Sequence, residues 1–256
     1  MVGILFTARL GSSRLSRKHL FEAGGRTFIE WLTGRFIREF KTEIENGAVK
    51  LVLATSDQPE NNAFQQVLDP LGVDVFYGAV SNIPQRHLSC AQKFKMDQII
   101  SIDGDDILCS TQAARKIFET FTKGTTSDIV ETAGLPLGMN CSGYTVAYLD
   151  RSLKNYQQEK IETGWGRVFI DPKKEIIKCG NHDIYDKLRL TLDYEDDMLF
   201  FTAVINFLGD KVMDIDDEDL ISTIRANKFD EINNHLFDVY WENFNSLKAE
   251  EQRNEK

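Results

Sequence analysis

Short apolar runs alternate with longer amphipathic segments along most of the chain. The first apolar runs are dense in Ile, Val and Leu with little alternation, which is typical of strands buried on both faces. Residues 28–45 instead repeat their apolar side chains at helical spacing. The pattern predicts strands over residues 2–7, 49–55, 73–77, 98–102, 128–131, 144–149, 167–170, 188–192 and 212–215. It predicts helices over residues 28–45, 60–71, 84–94, 111–122, 151–158, 196–208, 217–226 and 229–245.

This order of strands and helices predicts an α/β fold with a mostly parallel central sheet. Residues 128–175 depart from the rhythm, because strands follow one another there without helices. We expect them to form a small mixed-sheet insertion that covers the site or makes a dimer contact. A barrel of eight βα units also fits the length, but these consecutive strands count against it. No repeat or low-complexity linker divides residues 1–245, so we predict one domain, followed by a charged tail over 246–256 that frays.

The composition narrows the class of protein. The chain has 256 residues, of which 42% are hydrophobic and 27% charged, so a large core is possible and disorder is not expected. A net charge of −10 argues against nucleic acid or an anionic membrane as partner. No stretch has transmembrane length and the first residues do not resemble a signal peptide, so we expect a cytoplasmic protein. The cysteines lack zinc or redox spacing and are expected to be reduced thiols.

The loop after the first predicted strand is basic within an acidic chain. Residues 1–20 contain no Asp or Glu but include Arg9, Arg14, Arg17 and Lys18. Gly11 allows close approach of the backbone to a ligand, and the neighbouring amides can bind an anion. Arg14 and Lys18 have the reach and charge to bind phosphate oxygens. The loop lies where open α/β sheets bind ligands, although it lacks the glycine spacing of a dinucleotide fingerprint or a P-loop. The alternative is a solvated basic loop.

Two acidic segments also follow predicted strands. Asp103, Asp105 and Asp106 surround Gly104 directly after one apolar strand, and carboxylates are ligands that Mg²⁺ prefers. An Asp-rich turn that caps the next helix is the alternative. In residues 187–199, alternating leucines predict a half-buried strand that ends at Asp193. Asp196 and Asp197 then open a helix, where negative charge suits the helix dipole.

The N-terminal segment resembles the fingerprint of the cytidylyltransferases that make CMP-activated sugars, such as the acylneuraminate, 3-deoxy-manno-octulosonate and spore-coat polysaccharide types. The positions in register are Ala8, Arg9, Gly11, Ser12, Arg14, Leu15, Lys18 and Leu20. Ser16 and Arg17 stand where the family has Pro and Gly. The resemblance extends to about Phe207 and includes residues 187–199, which are similar to the family's Leu-Arg-Leu-Thr-Val-Asp-x-x-Glu-Asp segment. In the segment similar to the family's nucleotide-base segment, Gly78 and Arg86 match, whereas Tyr77 and Asn82 replace Arg and Asp.

The resemblance implies a Rossmann-like three-layer nucleotidyltransferase fold, Mg²⁺ as cofactor and a homodimer. It implies that a hydroxyl of an acidic sugar attacks the α-phosphorus of CTP and that pyrophosphate leaves. The implied catalytic residues are Arg14, Lys18, Asp105 and Asp193, with Asp105 and Asp193 holding the metal. The implied nucleotide-binding residues are Ala8, Arg9, Gly11, Ser12, Arg14, Lys18, Gly78, Ala79, Ser81 and Arg86.

Two other functions remain open from the sequence. Asp103-Gly104-Asp105 also fits the Asp-x-Asp pattern of metal-dependent glycosyltransferases with a similar nucleotide-binding fold. A non-catalytic nucleotide-binding or regulatory protein is the second alternative, suggested by departures from the family pattern at Ser16, Tyr77, Asn82 and Ser101. The histidines lack ligand spacing and are expected in surface or loop positions. Trp31 and Trp241 are expected in the core, and Trp165, between two glycines, is a candidate to line the sugar pocket or a dimer contact.

Overall fold

The protein was analysed as a computed structural model that describes residues 1–11, 14–156, 158, 160–181 and 187–253. Its strands are β1 (Val2–Thr7), β2 (Glu22–Ala23), β3 (Arg26–Thr27), β4 (Val49–Ser56), β5 (Asp74–Gly78), β6 (Gln98–Asp103), β7 (Ile129–Ala133), β8 (Ser142–Thr145) and β9 (Lys174–Lys178). Its helices are α1 (Phe28–Glu39), α2 (Lys41–Glu45), α3 (Ala63–Leu68), α4 (Ile83–Phe94), α5 (Thr111–Thr122), α6 (Val146–Lys154), α7 (Glu195–Leu208), α8 (Asp217–Ala226) and α9 (Leu236–Arg253).

The central sheet has seven strands in the order β5-β4-β1-β6-β8-β7-β9. Strands β5, β4, β1 and β6 pair in parallel. Strand β8 runs antiparallel to both β6 and β7, and β9 pairs in parallel with β7. The predicted α/β fold with a mostly parallel sheet is therefore confirmed. The mixed part extends the same sheet beyond β6, in the order β8, β7 and β9.

Helices cover both faces of the sheet, and the strand side chains pack into two hydrophobic clusters. Ile4 and Phe6 of β1 face one cluster, whereas Leu5 faces the other. Helix α1 starts with a capping box in which the Thr27 backbone N–H donates to Glu30 and the Glu30 N–H donates to the Thr27 hydroxyl. The helix then buries its apolar stripe, including Trp31, against the sheet. Strand β1 has the bounds that the hydrophobic pattern predicted, and the predicted apolar stripe of α1 is buried.

Three predicted strands are absent from the described part of the sheet, and the one predicted over 144–149 is present only as far as Thr145, in β8. Residues 146–149 begin α6, because the Thr145 side chain caps a helix there instead of continuing β8. Residues 165–168 and 209–213 form short 3₁₀ helices. Residues 188–192 are extended but isolated, with a single bridge between Leu137 and Arg189. Leu188, Leu190 and Leu192 are buried, and so are the two polar residues between them, so the alternation does not mark a solvent-facing side.

The C-terminal segment corrects another expectation. Helix α9 continues to Arg253, and Glu251 near its end is buried, so the expected frayed tail is wrong for residues 246–253. The predicted helix over 229–245 is divided into a 3₁₀ turn at Phe229–Ile232 and α9. Trp31 is buried as predicted, but Trp241 on α9 is 39% exposed. Within the described part of the chain, no helix combines the length and apolar character needed to span a membrane.

Candidate active site

The loop after β1 is held by contacts from neighbouring elements. Asn61 accepts a hydrogen bond from the Leu10 backbone N–H at 2.8 Å, and the Leu10 carbonyl accepts from the Arg17 N–H. Arg17 has a φ of 55° and stands where the family that this segment resembles has glycine, so the position is in the left-handed region without a glycine. Ala8 is buried and Gly11 is exposed, while Ser12 lies outside the described residues. Local contacts therefore set the path of the loop into the site.

Arg9 does not stand free beside this loop. Its guanidinium binds both carboxylate oxygens of Glu162, with N–O distances of 2.6 and 3.1 Å. Glu162 belongs to the loop after α6, and both residues line the same pocket. Arg9 therefore connects the N-terminal loop to the loop after α6, an interaction that the spacing of the sequence did not indicate.

Four charged side chains that the sequence analysis assigned to catalysis meet in one place. The Lys18 ammonium lies 2.7 Å from Asp105 Oδ2 and 3.3 Å from Asp193 Oδ1, and it donates to the Leu192 carbonyl at 2.5 Å. Arg14 donates to the same Asp193 Oδ1 at 2.5 Å. Asp105 and Asp193 thus converge on one cation although they lie far apart in the sequence. Lys18 and Asp193 are almost fully buried, whereas Arg14 and Asp105 remain open to the pocket.

The charges shift one another's protonation. Burial acts to lower the pKa of Lys18, but the charges of Asp105 and Asp193 more than offset this and raise its pKa above the ordinary value. Burial acts to raise the pKa of Asp105, yet Lys18 and a hydrogen bond from His19 hold that pKa well below its usual range. Asp105 is therefore a carboxylate at neutral pH, and Lys18 is an ammonium.

The other two acids at and after the end of β6, Asp103 and Asp106, have raised pKa values. Asp103 lines the pocket and its side chain is exposed there, yet the surrounding protein atoms and the charges of Asp105 and Asp193 raise its pKa to about 6. Burial and the Asp103 and Asp105 charges also raise the pKa of Asp106 well above its usual range. Lys18 contacts Asp105 and Asp193, and no contact between Lys18 and Asp103 is found among the described residues.

Asp193 is carried to this point by the extended segment before it. The Leu190 N–H donates to the Leu137 carbonyl, and the Leu192 N–H donates to the Asp105 carbonyl at 2.9 Å. Beneath the site, Asp197 accepts from the backbone N–H groups of Asp193 and Tyr194. Asp197 caps the start of α7, as predicted. Hydrogen bonds to two neighbouring elements therefore fix the position of Asp193.

A buried ion pair supports that cap. The Arg189 guanidinium binds both oxygens of Asp197, at 3.0 and 2.7 Å, and neither side chain is exposed. Asn233 donates to the same carboxylate at 2.9 Å. Such a pair is costly to break, because removing one partner leaves a buried charge. The alternating pattern placed Arg189 toward solvent. Arg189 is instead buried, and it holds Asp197, which accepts the backbone hydrogen bond of Asp193.

The segment assigned to the nucleotide base follows β5, at the far side of the loop after β1. Gly78 ends β5, where a Cβ would meet Phe76 at 2.7 Å and Arg86 at 3.0 Å, so a larger residue does not fit without a shift. Arg86 donates to the carbonyls of Ala79 and Val80, both at 2.9 Å.

Arg86 is almost fully buried, and burial together with the Arg9 charge lowers its pKa to about 10. It fixes the 79–80 backbone from inside the protein. Ser81 accepts a backbone hydrogen bond from Ile161, and Asn82 caps α4 by accepting from the Gln85 N–H. Asn82 replaces the Asp of the pattern that this segment resembles, and its side-chain oxygen caps the helix as an Asp oxygen would.

A cavity of about 750 Å³ connects these groups. One part is lined by the charged cluster and, from the region of the base segment, by Ile83 and Arg86, whereas Gly78, Ala79 and Ser81 are not among the lining residues. The other part is lined by the loop around Trp165 and by α9, through Lys160, Glu162, Thr163, Trp165, Tyr240, Phe244, Leu247 and Glu251. A smaller cavity of about 260 Å³ adjoins it over β6, β7 and β8, and shares Asp103, Asp106, Asn140 and Trp165 with the larger one. Trp165 therefore lines both cavities, whereas the role of α9 had no signal in the sequence pattern.

Two histidines are also misplaced by the sequence analysis. His19 and His87 are fully buried, not at the surface. His19 Nε2 lies 2.8 Å from Asp105 Oδ1. His87 lies between the Thr7 hydroxyl at 2.7 Å and the Tyr144 hydroxyl at 2.6 Å, and its ring packs against Trp165. The only sequence signal for His19 was its position next to Lys18. His182 lies outside the described residues.

The donor set was compared with the needs of a divalent cation. No group of three or more His, Cys, Asp or Glu side chains able to hold a metal ion exists in the described ranges. The carboxylates of Asp105 and Asp193 nevertheless share one cation, because the Lys18 ammonium lies 2.7 Å from Asp105 and 3.3 Å from Asp193. Mg²⁺ characteristically takes one or two carboxylates and completes its octahedron with water and phosphate oxygens. Asp105 and Asp193 therefore fit one Mg²⁺ whose remaining ligands are water molecules, or phosphate oxygens when a nucleotide is bound.

Sequence comparison gives a family match over most of the folded chain. A family model described as cytidylyltransferase matches residues 4–161. An uncharacterized protein of Methanocaldococcus jannaschii is 30% identical over 165 residues, which are 63% of this chain and 65% of the relative. A 3-deoxy-manno-octulosonate cytidylyltransferase of Chlorobium luteolum is 31% identical over 111 residues, 43% of this chain and 40% of that enzyme. The matched part thus covers less than two thirds of either relative.

Solved structures share the fold. A cytidylyltransferase from Leptospira borgpetersenii superposes with a TM-score of 0.76 and 21% identity, covering 90% of this chain and 95% of that one. A CMP:2-keto-3-deoxy-manno-octonic acid synthetase complexed with CTP has a TM-score of 0.57 and 12% identity over 80% and 98%. A Mycobacterium tuberculosis protein solved in complex with manganese has a TM-score of 0.54 and 13% identity over 79% and 97%.

Proposed function

Because the chain belongs to the cytidylyltransferase family, we propose that it transfers CMP from CTP to a hydroxyl of an acidic sugar, of the nonulosonate or 3-deoxy-manno-octulosonate type. The observation that carries the proposal is the convergence of Asp105 and Asp193 on Lys18, beside Arg14, at the end of the central strands. This arrangement combines the cations that a triphosphate needs with the carboxylates that its metal needs. The proposal includes a homodimer and a cytoplasmic location.

The reaction is an in-line displacement. The acceptor hydroxyl oxygen forms a bond to the α-phosphorus of CTP, the bond from that phosphorus to the bridging oxygen of the β-phosphate breaks, and the hydroxyl proton passes to water. The products are the CMP-sugar and pyrophosphate. Catalysis of this type depends on positioning and electrostatic stabilisation more than on a nucleophilic side chain. This agrees with a site made of cations and carboxylates.

Arg14 and Lys18 would hold the triphosphate. Arg14 is the more open of the two, and its guanidinium offers a planar fork for phosphate oxygens. Lys18 acts as a point charge at the floor of the site. As the bond to the leaving group breaks, negative charge builds on pyrophosphate, and fixed cations nearby lower the energy of that state.

Asp105 and Asp193 would hold Mg²⁺, with Asp193 fixed from below by the Asp197 cap. A bound Mg²⁺ supplies charge neutralisation on the phosphate oxygens and lowers the pKa of a nearby hydroxyl. The manganese of the Mycobacterium tuberculosis structure supports a divalent cation in this fold. The backbone over 78–82, held by Arg86, would face the cytosine base.

The two cavities suggest where the acceptor sits. The base segment follows β5 on one side of β1, whereas the smaller cavity lies over β6, β7 and β8 on the other side. An acceptor in or beside the smaller cavity would meet the α-phosphate near Asp103 and Asp105. Trp165, Asn140 and α9 would then border the acceptor and contribute to its selection.

The proposal is tested by pyrophosphate release. The protein is incubated with Mg²⁺, each of the four nucleoside triphosphates and a panel of acidic sugars that includes N-acetylneuraminate and 3-deoxy-manno-octulosonate. We expect release with CTP and one class of acidic sugar. Release with another triphosphate only would overturn the cytidylyl assignment. Transfer from a nucleotide-sugar without pyrophosphate would instead support the glycosyltransferase that uses Asp103-Gly104-Asp105, and CTP binding without turnover would indicate a non-catalytic protein. Light scattering measures the oligomeric state.

A further inference from the structure

His19 is a fully buried residue with a polar contact to the proposed metal ligand Asp105. Its Nε2 lies 2.8 Å from Asp105 Oδ1, while Lys18 Nζ lies 2.7 Å from Oδ2. Two consecutive residues therefore contact one carboxylate, each at a different oxygen. This arrangement fixes the plane of the carboxylate as well as its position.

The surroundings of His19 force this contact. The ring lies edge-on to Phe64, with centroids 5.9 Å apart. On its other side is Gly104, where a Cβ would come within 3.3 Å of the His19 Nε2 and within 2.9 Å of the Thr7 carbonyl. The glycine thus permits the imidazole to reach the carboxylate of the next residue. The short 3₁₀ helix Lys18–Leu20 carries both donors.

A purely structural role does not account for an imidazole here. Its Nδ1 is buried and has no hydrogen-bond partner among the described residues. A buried polar atom without a partner costs free energy, so an apolar ring of similar shape would fill the space beside Phe64 at lower cost. The contact from Nε2 to Asp105 is the feature that only the histidine supplies.

We propose that His19 is a positioning residue that holds Asp105 Oδ1, so that Oδ2 is presented to Lys18 and, in the loaded enzyme, to the divalent cation. The inference rests on the proposed function, which assigns the metal to Asp105. Residues that orient a metal ligand from outside change metal affinity by about 10–100-fold when they are replaced. His19 acts in this way on a carboxylate, and it need not touch the nucleotide.

The test compares two variants with Mn²⁺ as the probe. His19→Phe keeps a flat ring against Phe64 but has no donor, whereas His19→Gln offers an amide N–H at a similar reach. Mn²⁺ is titrated against nucleotide-free protein, and the electron paramagnetic resonance signal of the free ion is followed. We expect His19→Phe to weaken Mn²⁺ binding by about 10–100-fold and His19→Gln to restore most of it. CTP binding in EDTA should be the same in all three proteins.

Thermal melts establish that each variant is folded. If His19→Phe does not fold, His19→Asn replaces it, because its shorter amide does not reach Asp105 and should show the same loss. Mn²⁺ affinity in a folded His19→Phe equal to that of wild type would overturn the inference, and so would a His19→Gln no better than His19→Phe. Asp105→Asn distinguishes a failure of the proposed metal site from a failure of the role inferred for His19. If it leaves Mn²⁺ binding unchanged, the metal assignment of the proposed function fails, and the inference fails with it. If it weakens binding and His19→Phe does not, only the inference fails.

Discussion

Asp105 and Asp193 both contact the oppositely charged Lys18 ammonium. Each carboxylate therefore contributes to one cluster of compensating charges. Replacing either by Asn keeps the shape and removes the charge. We expect Asp105→Asn and Asp193→Asn each to reduce turnover by about three powers of ten, because metal-borne charge stabilisation is worth several kcal/mol and each 1.4 kcal/mol is tenfold in rate. Pyrophosphate release at saturating Mg²⁺ measures the effect.

Asp196→Asn is the matched control for this prediction. Asp196 lies in the first turn of α7, where it is partly exposed and contacts His235 at 3.2 Å. Asn is well tolerated near a helix start, so turnover should change little. Near-normal turnover of a folded Asp193→Asn would remove Asp193 from the metal site. The ligands would then be Asp103 and Asp105, as in the glycosyltransferase alternative.

Lys18 occupies the place between the carboxylates that the proposed metal requires. Residues 1–20 hold no acid to pair with Lys18, which predicts that the loss of its charge would be harmless to folding. The structure corrects this, because the ammonium is buried against Asp105 and Asp193. A tethered cation and a divalent ion compete for the same oxygens. We therefore expect Lys18→Met to bind Mn²⁺ alone at least about tenfold more tightly than wild type, corresponding to about 1.4 kcal/mol.

The same variant should be less stable without metal and should bind CTP more weakly. Removing one partner of a buried ion pair costs about 3 kcal/mol, and urea unfolding measures it. The lost phosphate contact should weaken CTP binding by about 1.5–3 kcal/mol. Arg14→Ala is the control, since Arg14 is more exposed and also pairs with Asp193; its unfolding should change less. Unchanged Mn²⁺ affinity in Lys18→Met would mean that the ammonium and the metal use different positions.

Among the elements, α9 has the least expected role. Near its end, Glu251 accepts from the backbone N–H groups of Glu162 and Thr163, at 3.2 and 3.1 Å, and from Arg167 at 2.9 Å. Glu162 in turn binds Arg9. The C-terminal helix therefore fixes the loop that borders the proposed acceptor region, through one buried carboxylate.

Glu251→Ala should release this loop. Loss of charge-assisted hydrogen bonds to a buried group should lower the free energy of unfolding by about 2–3 kcal/mol. Hydrogen exchange at the Thr163 amide should accelerate, because its acceptor is gone. Glu250→Ala is the control, since the neighbouring side chain is exposed. If both variants exchange and unfold alike, α9 does not hold the loop.

At the scale of the whole molecule, His87 makes stability depend on pH. It links β1 to β8 through Thr7 and Tyr144, and burial with the neighbouring Arg86 charge lowers its pKa to about 3. The unfolded chain takes up a proton near pH 6.5, which the folded chain does not. This contribution to stability is complete above about pH 6.5 and is lost as the pH falls toward 3.

Between pH 7 and pH 5, wild type should therefore lose about 2 kcal/mol on account of His87. His87→Gln keeps hydrogen-bonding groups but does not titrate, so its unfolding free energy should change less over that interval. Urea unfolding of both proteins at the two pH values measures the difference. Parallel losses in the two proteins would show that the imidazole is not the group responsible.

The fold class could be predicted from the sequence because an unbroken apolar run can be buried in only a few kinds of fold. A run such as that of β1, buried on both faces, needs helices above and below it, and regular alternation with amphipathic segments supplies them. The match of Arg14, Lys18, Asp105 and Asp193 to a family pattern also singled out the residues that the structure brings together. Signals of this kind can be read from the sequence because burial in a strand and the chemistry of a loop depend on the residue types at neighbouring positions.

The periodicity failed where a side chain's partner lies far away in the sequence. The alternation over 188–192 indicated a half-exposed strand, but Arg189 is buried because the Asp197 carboxylate and the Leu236 carbonyl accept hydrogen bonds from its guanidinium. The charged end of α9 resembled a frayed tail, yet Glu251 finds buried donors in the 162–167 loop.

The sequence by itself determined the fold class and the candidate groups at the ends of β1 and β6. Only the tertiary structure decided that Lys18 fills the place between Asp105 and Asp193, that His19 is buried against Asp105, and that α9 lines the pocket. The reason is physical. Hydropathy reports the average environment of a residue, whereas a polar side chain becomes stable in the interior only through a specific partner at hydrogen-bond distance, and the folded chain alone brings such partners together.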